Sequence, residues 1–225
     1  ASVTADTGMD VLTHAVEAYT STLANDYTDG LALQAIKLVF ENLESSVKNA
    51  DFESREKMHN ASTMAGMAFA NAFLGMSHSM AHKIGGFFHT VHGRTNAILL
   101  PYVIRYNGTR PAKAATWPKY NYYKADVKFQ DIAKMLGLPA STPEEAVDAL
   151  AKAVYDLGVR VGIDMSIKGQ GVDEKEYMDT VEEIAYLAYE DQCSPANPRL
   201  PMVADMVEIL QDAYYGYKER PGRRK

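Results

Sequence analysis

One aspartate and three histidines in this 225-residue chain have side chains suited to binding a transition metal. They are Asp10, His14, His78 and His92. Carboxylate oxygens and neutral imidazole nitrogens are ligands that Fe(II), Zn(II) and similar divalent ions accept, and four such groups complete a coordination sphere. The sequence therefore predicts a metal centre, provided that the fold brings these four side chains together.

The spacing of these residues favours two helical pairs. Asp10 and His14 are four residues apart, as are His78 and His82, and side chains at this spacing share one face of a helix. Five candidate groups exceed the four positions of a tetrahedral site. An extra imidazole beside the metal, such as His82, would act as a proton relay or a substrate contact. Spacing alone does not separate these roles.

Ordinary structural roles compete with the metal interpretation. An aspartate in a first helical turn often serves the helix dipole, and an isolated helical histidine often lies on the surface or in a core. The pair of His78 and His82 is a stronger signal, because small and apolar neighbours offer these rings few other partners. We expect His59 to be exposed and His89 to serve local packing.

Apolar periodicity predicts helices along nearly the whole first half of the chain. They extend from Thr7 to about Leu23, from a cap at Thr28 to about Val47, from Glu53 to about Phe73, from near Ser77 onwards, and from after Arg94 to about Tyr106. The third is rich in Ala, Gly, Met and Ser. Because small side chains allow close helix approach, we expect this helix to be central and buried. A bend is expected at Gly85 and Gly86.

Residues 107–126 interrupt the pattern with prolines, turn residues and aromatics, which predict a long ordered surface loop. Further helices are predicted from a cap at Asp126 to Leu136, from a capping box at Thr142 to about Val161, after Asp173, and over about 202–217. No alternating strands, no repeat, no G-x-G-x-x-G and no P-loop motif occur. The sequence therefore predicts an all-α fold.

Composition and charge bear on the class of protein. The net charge of −6 and the pI near 5.5 argue against a nucleic-acid partner, and the basic tail at 218–225 is expected to be solvated. Cys193 is the only cysteine, so an internal disulfide is impossible and a reducing, cytoplasmic location is expected. No apolar run approaches the ~18 residues of a membrane span, and no signal segment is visible. Because the chain starts without Met, we expect it to be a piece of a longer protein.

Three segments together carry a resemblance to a known family. They are GMDVLTHAVEAY, AGMAFANAFLGMSHSMAHKIGGFFHTVHGRTNAILLPYVIRYN and DQCSPANPR. The chain resembles the iron-containing (group III) alcohol dehydrogenases over nearly its whole length. Within that family it is most similar to the alcohol dehydrogenase part of bifunctional aldehyde-alcohol dehydrogenases.

The resemblance implies roles for individual residues. The family's metal ligands correspond to the four residues named at the outset, from Asp10 to His92. A histidine near the nicotinamide, often given a proton-relay role, corresponds to His82, which is thus both the catalytic and the cofactor-contacting candidate. Phe69 matches a position that lines the substrate pocket, and Cys193 matches a small-residue position close to the same cavity.

The resemblance also implies a domain arrangement. Residues 1–225 correspond to the all-helical, metal-binding C-terminal domain of the family, and the N-terminal dinucleotide-binding domain with its glycine-rich turn is not in this chain. We therefore expect the isolated chain to bind NADH poorly and to be inactive. The longer protein is expected to form a homo-oligomer.

The activity implied by the resemblance is the interconversion of acetaldehyde and ethanol, or of similar short primary alcohols. Fe(II) is the implied Lewis acid and NAD the implied hydride acceptor. Zn(II) can take the place of Fe(II), because nitrogen and oxygen sites bind it more tightly.

Three alternatives stay open on sequence grounds. A glycerol dehydrogenase or dehydroquinate synthase-like protein fits less well, because its metal site is usually described with one carboxylate and two histidines. A metal-dependent hydrolase or lyase would need a general base as in H-E-x-x-H, which is missing. A non-catalytic helical assembly module is the third, for which the aromatic-rich segment 107–126 would offer a contact surface.

Overall fold

The computed structural model describes residues 1–111 and 123–218 of the chain. Within these ranges the secondary structure is helical and contains no β-strand, so the all-α prediction is confirmed. The helices are α1 (Ser2–Thr20), α2 (Asp26–Lys48), α3 (Phe52–Ala72), α4 (Met76–Phe88), α5 (His92–Gly108), α6 (Ala125–Met135), α7 (Pro143–Arg160), α8 (Glu174–Tyr189) and α9 (Val203–Tyr215).

Helix α1, rather than α3, is the central helix around the predicted site. All its positions from Ala5 to Thr20 are buried except Thr7, Asp10 and His14. It packs against α2, α3 and α5. Helix α3 buries only a narrow stripe that includes Ala61, Ala65, Ala68 and Ala72. The expectation that α3 is central is therefore wrong, although its small residues do line the face that packs against α1 and α2.

Asn25, not Thr28, caps α2. The Asn25 side chain accepts hydrogen bonds from the backbone N–H groups of Tyr27 and Thr28 at 3.1 and 3.3 Å. The Thr28 hydroxyl accepts in return from the Asn25 N–H at 2.9 Å, which completes a reciprocal capping box with Thr28 inside the first turn. Asp126 likewise lies inside the first turn of α6, whose N-cap position is Lys124.

The starts of two other helices test the predictions in opposite ways. Helix α1 begins at Ser2, five residues before the predicted start at Thr7. Helix α7 begins at Pro143 with Thr142 as its N-cap, and the Thr142 hydroxyl accepts from the Glu145 N–H at 3.2 Å. The predicted start of α7 is confirmed, because proline and capping residue act locally at that position. The predicted capping box is not formed, since the Glu145 carboxylate accepts from the Ser141 N–H at 2.7 Å instead of from the Thr142 N–H.

The segment that connects α4 to α5 is shorter than predicted and comprises residues 89–91. Helix α4 continues through Gly85 and Gly86 to Phe88, and its C-cap His89 adopts a left-handed conformation (φ 54°) and is exposed rather than packed. Helix α5 begins at His92 itself, not after Arg94. His92 therefore lies in the first turn of a helix, close to the end of α4.

The predicted surface loop at 107–126 falls largely on residues 112–122, which lie outside the described residues, as do residues 219–225 of the basic tail. At its edges, 107 and 108 are the last residues of α5, and 125 and 126 are the first of α6. Among the described residues, no helix is both long and apolar enough to cross a membrane.

The buried side chains form two hydrophobic cores. The first core is built by α1, α2, α3, α6, α7 and one face of α5. The second core is built by α4, α8, α9 and the other face of α5. Helix α5 contributes Ala97 and Leu100 to the first core and Ile98 and Leu99 to the second. The two cores therefore meet along α5.

Candidate metal centre

The four predicted ligands converge where α1, α4 and α5 meet. Asp10 and His14 lie one turn apart on α1, His78 is in the first turn of α4, and His92 is the first residue of α5. The Asp10 Oδ1 atom lies 3.7 Å from His78 Nε2 and 3.6 Å from His92 Nε2. Its Oδ2 atom lies 3.9 Å from His14 Nδ1. One carboxylate is thus in contact range of three imidazoles that come from three helices.

The buried nitrogen of His78 is the observation that best fits a metal ion. His78 is 1% exposed, and its Nε2 atom has no hydrogen-bond partner among the described residues. Leaving such a group unpaired in a protein interior costs about 1–3 kcal/mol. Ligand atoms of Asp10, His14 and His78 lie within 4.8 Å of one another. A carboxylate with imidazole nitrogens is a donor set for Fe(II) or Zn(II), so the residues present fit a divalent transition metal.

His92 is held less tightly than the other three. Its side chain is 42% exposed, whereas those of Asp10 and His14 are 19% exposed. Its Nε2 atom lies 3.1 Å from the amide nitrogen of Asn96, which also donates to Asp10 Oδ1 at 2.9 Å. The fully buried Asn96 is one turn after His92 on α5, and sequence reasoning missed it.

Glu17 is a second residue that sequence reasoning missed. It is 3% exposed, and its Oε2 atom lies 2.6 Å from His78 Nδ1. Its Oε1 atom accepts from the backbone N–H of Ser77 at 2.7 Å. A signal was present in the sequence, because Glu17 follows His14 by three residues and so continues the helix face that carries Asp10.

Burial and charge shift the pKa values within the cluster. Burial opposes the charged form of His78, but the carboxylates of Asp10 and Glu17 outweigh it and raise the pKa of His78 to about 9. Burial and the neighbouring His78 lower the pKa of His14 to about 4. Burial acts to raise the pKa of Asp10, yet the surrounding imidazoles hold it below its ordinary value. The centre therefore combines an ionised carboxylate with a neutral imidazole at His14 that has a free lone pair.

His82 lies next to His92, but it is not one of the three histidines that approach the Asp10 carboxylate. Its ring stacks on that of His92 with centroids 5.4 Å apart. Its Nδ1 atom lies 3.2 Å from Asp191 Oδ2, to which the Lys83 ammonium is also bound at 2.8 Å. Burial acts to raise the pKa of Asp191, but hydrogen bonds, first of all from Lys83, hold it below its ordinary value. The Asp191 carboxylate accepts a hydrogen bond from the Nδ1–H group of His82 and thereby orients the imidazole ring.

Cys193 lies beside this second group. It is 4% exposed, and its backbone N–H donates to Asp191 Oδ1 at 3.0 Å. Burial raises the pKa of the Cys193 thiol to about 12, so the side chain is a neutral, small group. Ligand atoms of His82, Asp191 and Cys193 lie within 4.8 Å of one another. The Lys83 ammonium already neutralises this carboxylate, which disfavours a second cation there.

Phe69 lies on the other side of the cluster. Its ring stacks on that of His14 with centroids 4.5 Å apart. Both rings line a cavity of about 670 Å³ between α1 and α3, which also reaches Asp10 and, on α3, Arg55 and His59. His59 is exposed, as predicted. The cavity has the size of a small-molecule site and opens onto two of the candidate metal ligands.

Comparisons with known proteins agree on one family. Residues 4–214 match the sequence model described as "Fe-containing alcohol dehydrogenase family, C-terminal". The aldehyde-alcohol dehydrogenase of Streptococcus pneumoniae serotype 2 is 81% identical over 99% of this chain and 25% of its own length. The NADPH-dependent butanol dehydrogenase of Clostridium saccharobutylicum is 42% identical over 95% of this chain and 51% of its own length.

Solved structures are similar over the same region. A structure described as 1,3-propanediol oxidoreductase superposes with a TM-score of 0.82 at 37% identity, covering 93% of this chain and 51% of that one. The chain therefore spans about a quarter of the aldehyde-alcohol dehydrogenase and about half of the shorter alcohol dehydrogenases.

Proposed function

The chain belongs to the Fe-containing alcohol dehydrogenase family, and on that premise we propose that it is the metal-binding part of an NAD-dependent alcohol dehydrogenase. The proposed reaction interconverts acetaldehyde and ethanol, or similar short primary alcohols. The observation that carries the proposal is the buried Nε2 atom of His78, which has no hydrogen-bond partner in the described part of the chain and faces the Asp10 carboxylate among three imidazoles. Such an atom is explained by a bound cation.

The proposed ligands are Asp10, His14, His78 and His92. The metal is proposed to be Fe(II), with Zn(II) able to replace it because zinc binds more tightly to nitrogen and oxygen sites. When bound, the ion supplies Lewis-acid polarisation of the alcohol or aldehyde oxygen, and the nicotinamide supplies the hydride chemistry.

The residues around the ligands have separate proposed tasks. His82 donates a hydrogen bond from Nδ1–H to the Asp191 carboxylate, so its Nε2 lone pair is available to take the hydroxyl proton of an alcohol and to return it in the reverse direction. Phe69 forms an apolar wall against His14 and limits the substrate to a small one. Cys193, as a neutral thiol, occupies little space beside His82 and places no charge there.

The proposed arrangement assigns the nucleotide to another domain. No glycine-rich turn of the G-x-G-x-x-G or P-loop type occurs in the sequence, and the described residues contain no β-strand from which such a turn would start. Residues 1–225 are accordingly proposed to form the metal-binding domain alone, paired in the active enzyme with a dinucleotide-binding domain.

One feature favours a second candidate function. Among the described residues, the ligand atoms of Asp10, His14 and His78 all lie within 4.8 Å of one another, and His92 is not in this group. That is the pattern expected of a glycerol dehydrogenase or dehydroquinate synthase-like site. The variant His92→Ala separates the two, since it leaves metal binding intact only in the second.

Metal binding by single-site variants tests the ligand assignment. We expect the 225-residue chain to bind one equivalent of Fe(II) or Zn(II), and the variants His78→Ala and His92→Ala to lose stoichiometric binding in elemental analysis and in anaerobic titration. The control is His89→Asn, because His89 is exposed and asparagine tolerates its left-handed conformation. Unchanged metal content in both alanine variants contradicts the assignment.

A chimera tests the activity. This chain replaces the 223 matching residues of the Streptococcus pneumoniae relative. We expect the chimera to oxidise ethanol with NAD and to lose that activity in the His78→Ala form. A folded chimera that holds metal but is inactive on every short primary alcohol contradicts the proposed reaction while leaving the metal site standing.

A further inference from the structure

Both oxygens of the Glu17 carboxylate are engaged in the protein interior, and one of them meets a proposed metal ligand. Oε2 lies 2.6 Å from His78 Nδ1, and Oε1 accepts from the Ser77 N–H at 2.7 Å. Glu17 is 3% exposed and His78 is 1% exposed. We propose that Glu17 is the positioning residue of the metal centre, holding the proton of His78 on Nδ1 so that the Nε2 lone pair faces the ion. This inference rests on the proposed function.

The hydrogen bond fixes which nitrogen of His78 is free. A carboxylate accepts but does not donate, so the His78 nitrogen beside Glu17 keeps its proton, and Nε2 is the nitrogen that gives up its proton when a metal binds. Nε2 is then the nitrogen directed at Asp10, at 3.7 Å from Oδ1. A ring rotated by half a turn would place Nδ1 towards the centre. In metal sites, a carboxylate partner on the remote nitrogen fixes ring orientation and makes the ligating nitrogen a better donor.

Charge balance gives a second reason for a carboxylate at this position. A divalent cation placed between these buried rings carries two positive charges, and Asp10 supplies only one negative charge in direct contact. Glu17 supplies the other through His78, so the buried cluster becomes neutral when the ion binds. Uncompensated charge in such a buried site is strongly unfavourable.

A purely structural role accounts for only half of these contacts. A carboxylate at the N-terminus of α4 is favourable because of the helix dipole and the free N–H groups, which explains the bond from Ser77. It does not explain the bond from His78. Asn197 serves the same helix end in parallel, since its Oδ1 atom accepts from the Met76 N–H at 3.2 Å without touching a proposed ligand.

The local backbone is built around these two side chains. Gly75 precedes α4, and a Cβ atom there would lie 2.7 Å from Asn197 Oδ1 and 3.0 Å from Glu17 Oε1. A residue with a side chain would therefore displace one or both acceptors. Glycine at position 75 allows the carboxylate to reach Ser77 and His78 together.

The experiment compares Glu17→Gln with Asn197→Ala. Glutamine keeps the shape of the side chain but has only one oxygen to accept from two N–H groups, whereas Asn197→Ala loosens the same helix end away from His78. Zinc affinity of the 225-residue chain is measured by competition with a chromophoric chelator. We expect Glu17→Gln to weaken binding by about 10- to 100-fold. We expect Asn197→Ala to lower the Tm while its zinc affinity stays within a few-fold of wild type.

Two spectroscopic signatures accompany the affinities. In the zinc-loaded wild-type chain, long-range ¹H–¹⁵N spectra should assign His78 as bound through Nε2, with a slowly exchanging, downfield Nδ1 proton. The visible ligand-field bands of the Co(II)-loaded chain should shift in Glu17→Gln and not in Asn197→Ala. The wild-type spectrum tests the inference even if the glutamine variant fails to fold.

The outcomes separate the inference from the proposed function. Equal zinc affinity in wild type and Glu17→Gln, an equal loss in both variants, or binding of His78 through Nδ1 overturns the role of Glu17. A folded wild-type chain that binds neither zinc, cobalt nor iron overturns the proposed function instead.

Discussion

At the scale of single residues, the Asp10 carboxylate organises the centre. Its two oxygens lie between 3.6 and 3.9 Å from nitrogens of His14, His78 and His92. These separations are longer than hydrogen bonds, which fall near 2.7–3.2 Å for nitrogen and oxygen. The carboxylate therefore approaches all three rings without forming a close hydrogen bond to any of them, an arrangement that suits ligands around a common ion.

The His82 ring allows a prediction about proton transfer. In the chimera described above, His82→Gln should keep the metal content of the wild type, because His82 touches Asp191 rather than Asp10. The turnover number should fall by about 10²- to 10⁴-fold, the usual contribution of a general acid–base group. Elemental analysis and steady-state kinetics of the same preparation check both parts, with His89→Asn as the control. A variant that loses its metal would mean that His82 is itself a ligand.

Only some of the contacts in the centre could be predicted from the sequence. The pairing of Asp10 with His14 is predictable, because a helix places residues four apart on one face. The contact between Glu17 and His78 joins residues 61 positions apart, and it depends on how α1 and α4 cross. Asn96 had no signal at all, since a buried asparagine on a helix has many possible roles. Local periodicity gives the candidates, and tertiary packing decides their partners.

At the scale of elements, the close approach of α5 to α1 brings His92 to Asp10. Arg94 on α5 forms two parallel hydrogen bonds with the buried Asp6 carboxylate on α1, each of 2.9 Å. Gly93 lies between Arg94 and the proposed ligand His92 in the first turn of α5. A Cβ atom at Gly93 would overlap the Asp6 carbonyl oxygen and lie 3.0 Å from the Asp10 Cβ. Helix α5 can therefore reach α1 at this depth only with glycine at position 93.

Gly93→Ala should accordingly damage the centre through the backbone. Overpacking against a carbonyl group should destabilise the fold by about 1–3 kcal/mol and move His92 away from Asp10, which weakens metal binding. The matched control is Gly86→Ala on α4, where an added Cβ meets no atom from elsewhere in the described fold within 4 Å. That control should be neutral or stabilising by up to about 1 kcal/mol. The reason is that alanine loses less backbone conformational entropy than glycine when the chain folds into a helix.

Thermal denaturation and zinc titration of both glycine variants check this prediction. Wild-type zinc affinity in a folded Gly93→Ala chain would show that the separation of α1 and α5 does not determine the site.

The helix boundaries illustrate the same division between local and tertiary information. The start of α7 is predictable because Thr142 and Pro143 act within one turn. The start of α5 at His92 is not, because no capping side chain marks it and the packing against α1 sets it. The central position of α1 rather than α3 also depends on packing, since composition alone favoured the alanine-rich helix.

At the scale of the whole molecule, the candidate metal centre lies at the seam between the two cores. Asp10 and His14 belong to a helix of the first core, and His78 belongs to a helix of the second. His92 begins α5, which contributes to both. A bound ion would therefore connect the two cores in addition to its chemical task, much as a cross-link between them.

The stability of the whole chain should consequently depend on the metal. An ion that binds only the folded state adds about 2.7 kcal/mol when its free concentration is 100 times the Kd. For a chain of this size, that corresponds to a rise in Tm of about 5–10 °C. Calorimetry of the metal-free chain with and without added Zn(II) measures the shift, and His78→Ala, which lacks a proposed ligand from the second core, should show none. A wild-type Tm that does not respond to zinc, cobalt or iron, while titration shows one equivalent bound, would contradict this prediction, because it would mean that the ion binds the folded and unfolded chains equally well.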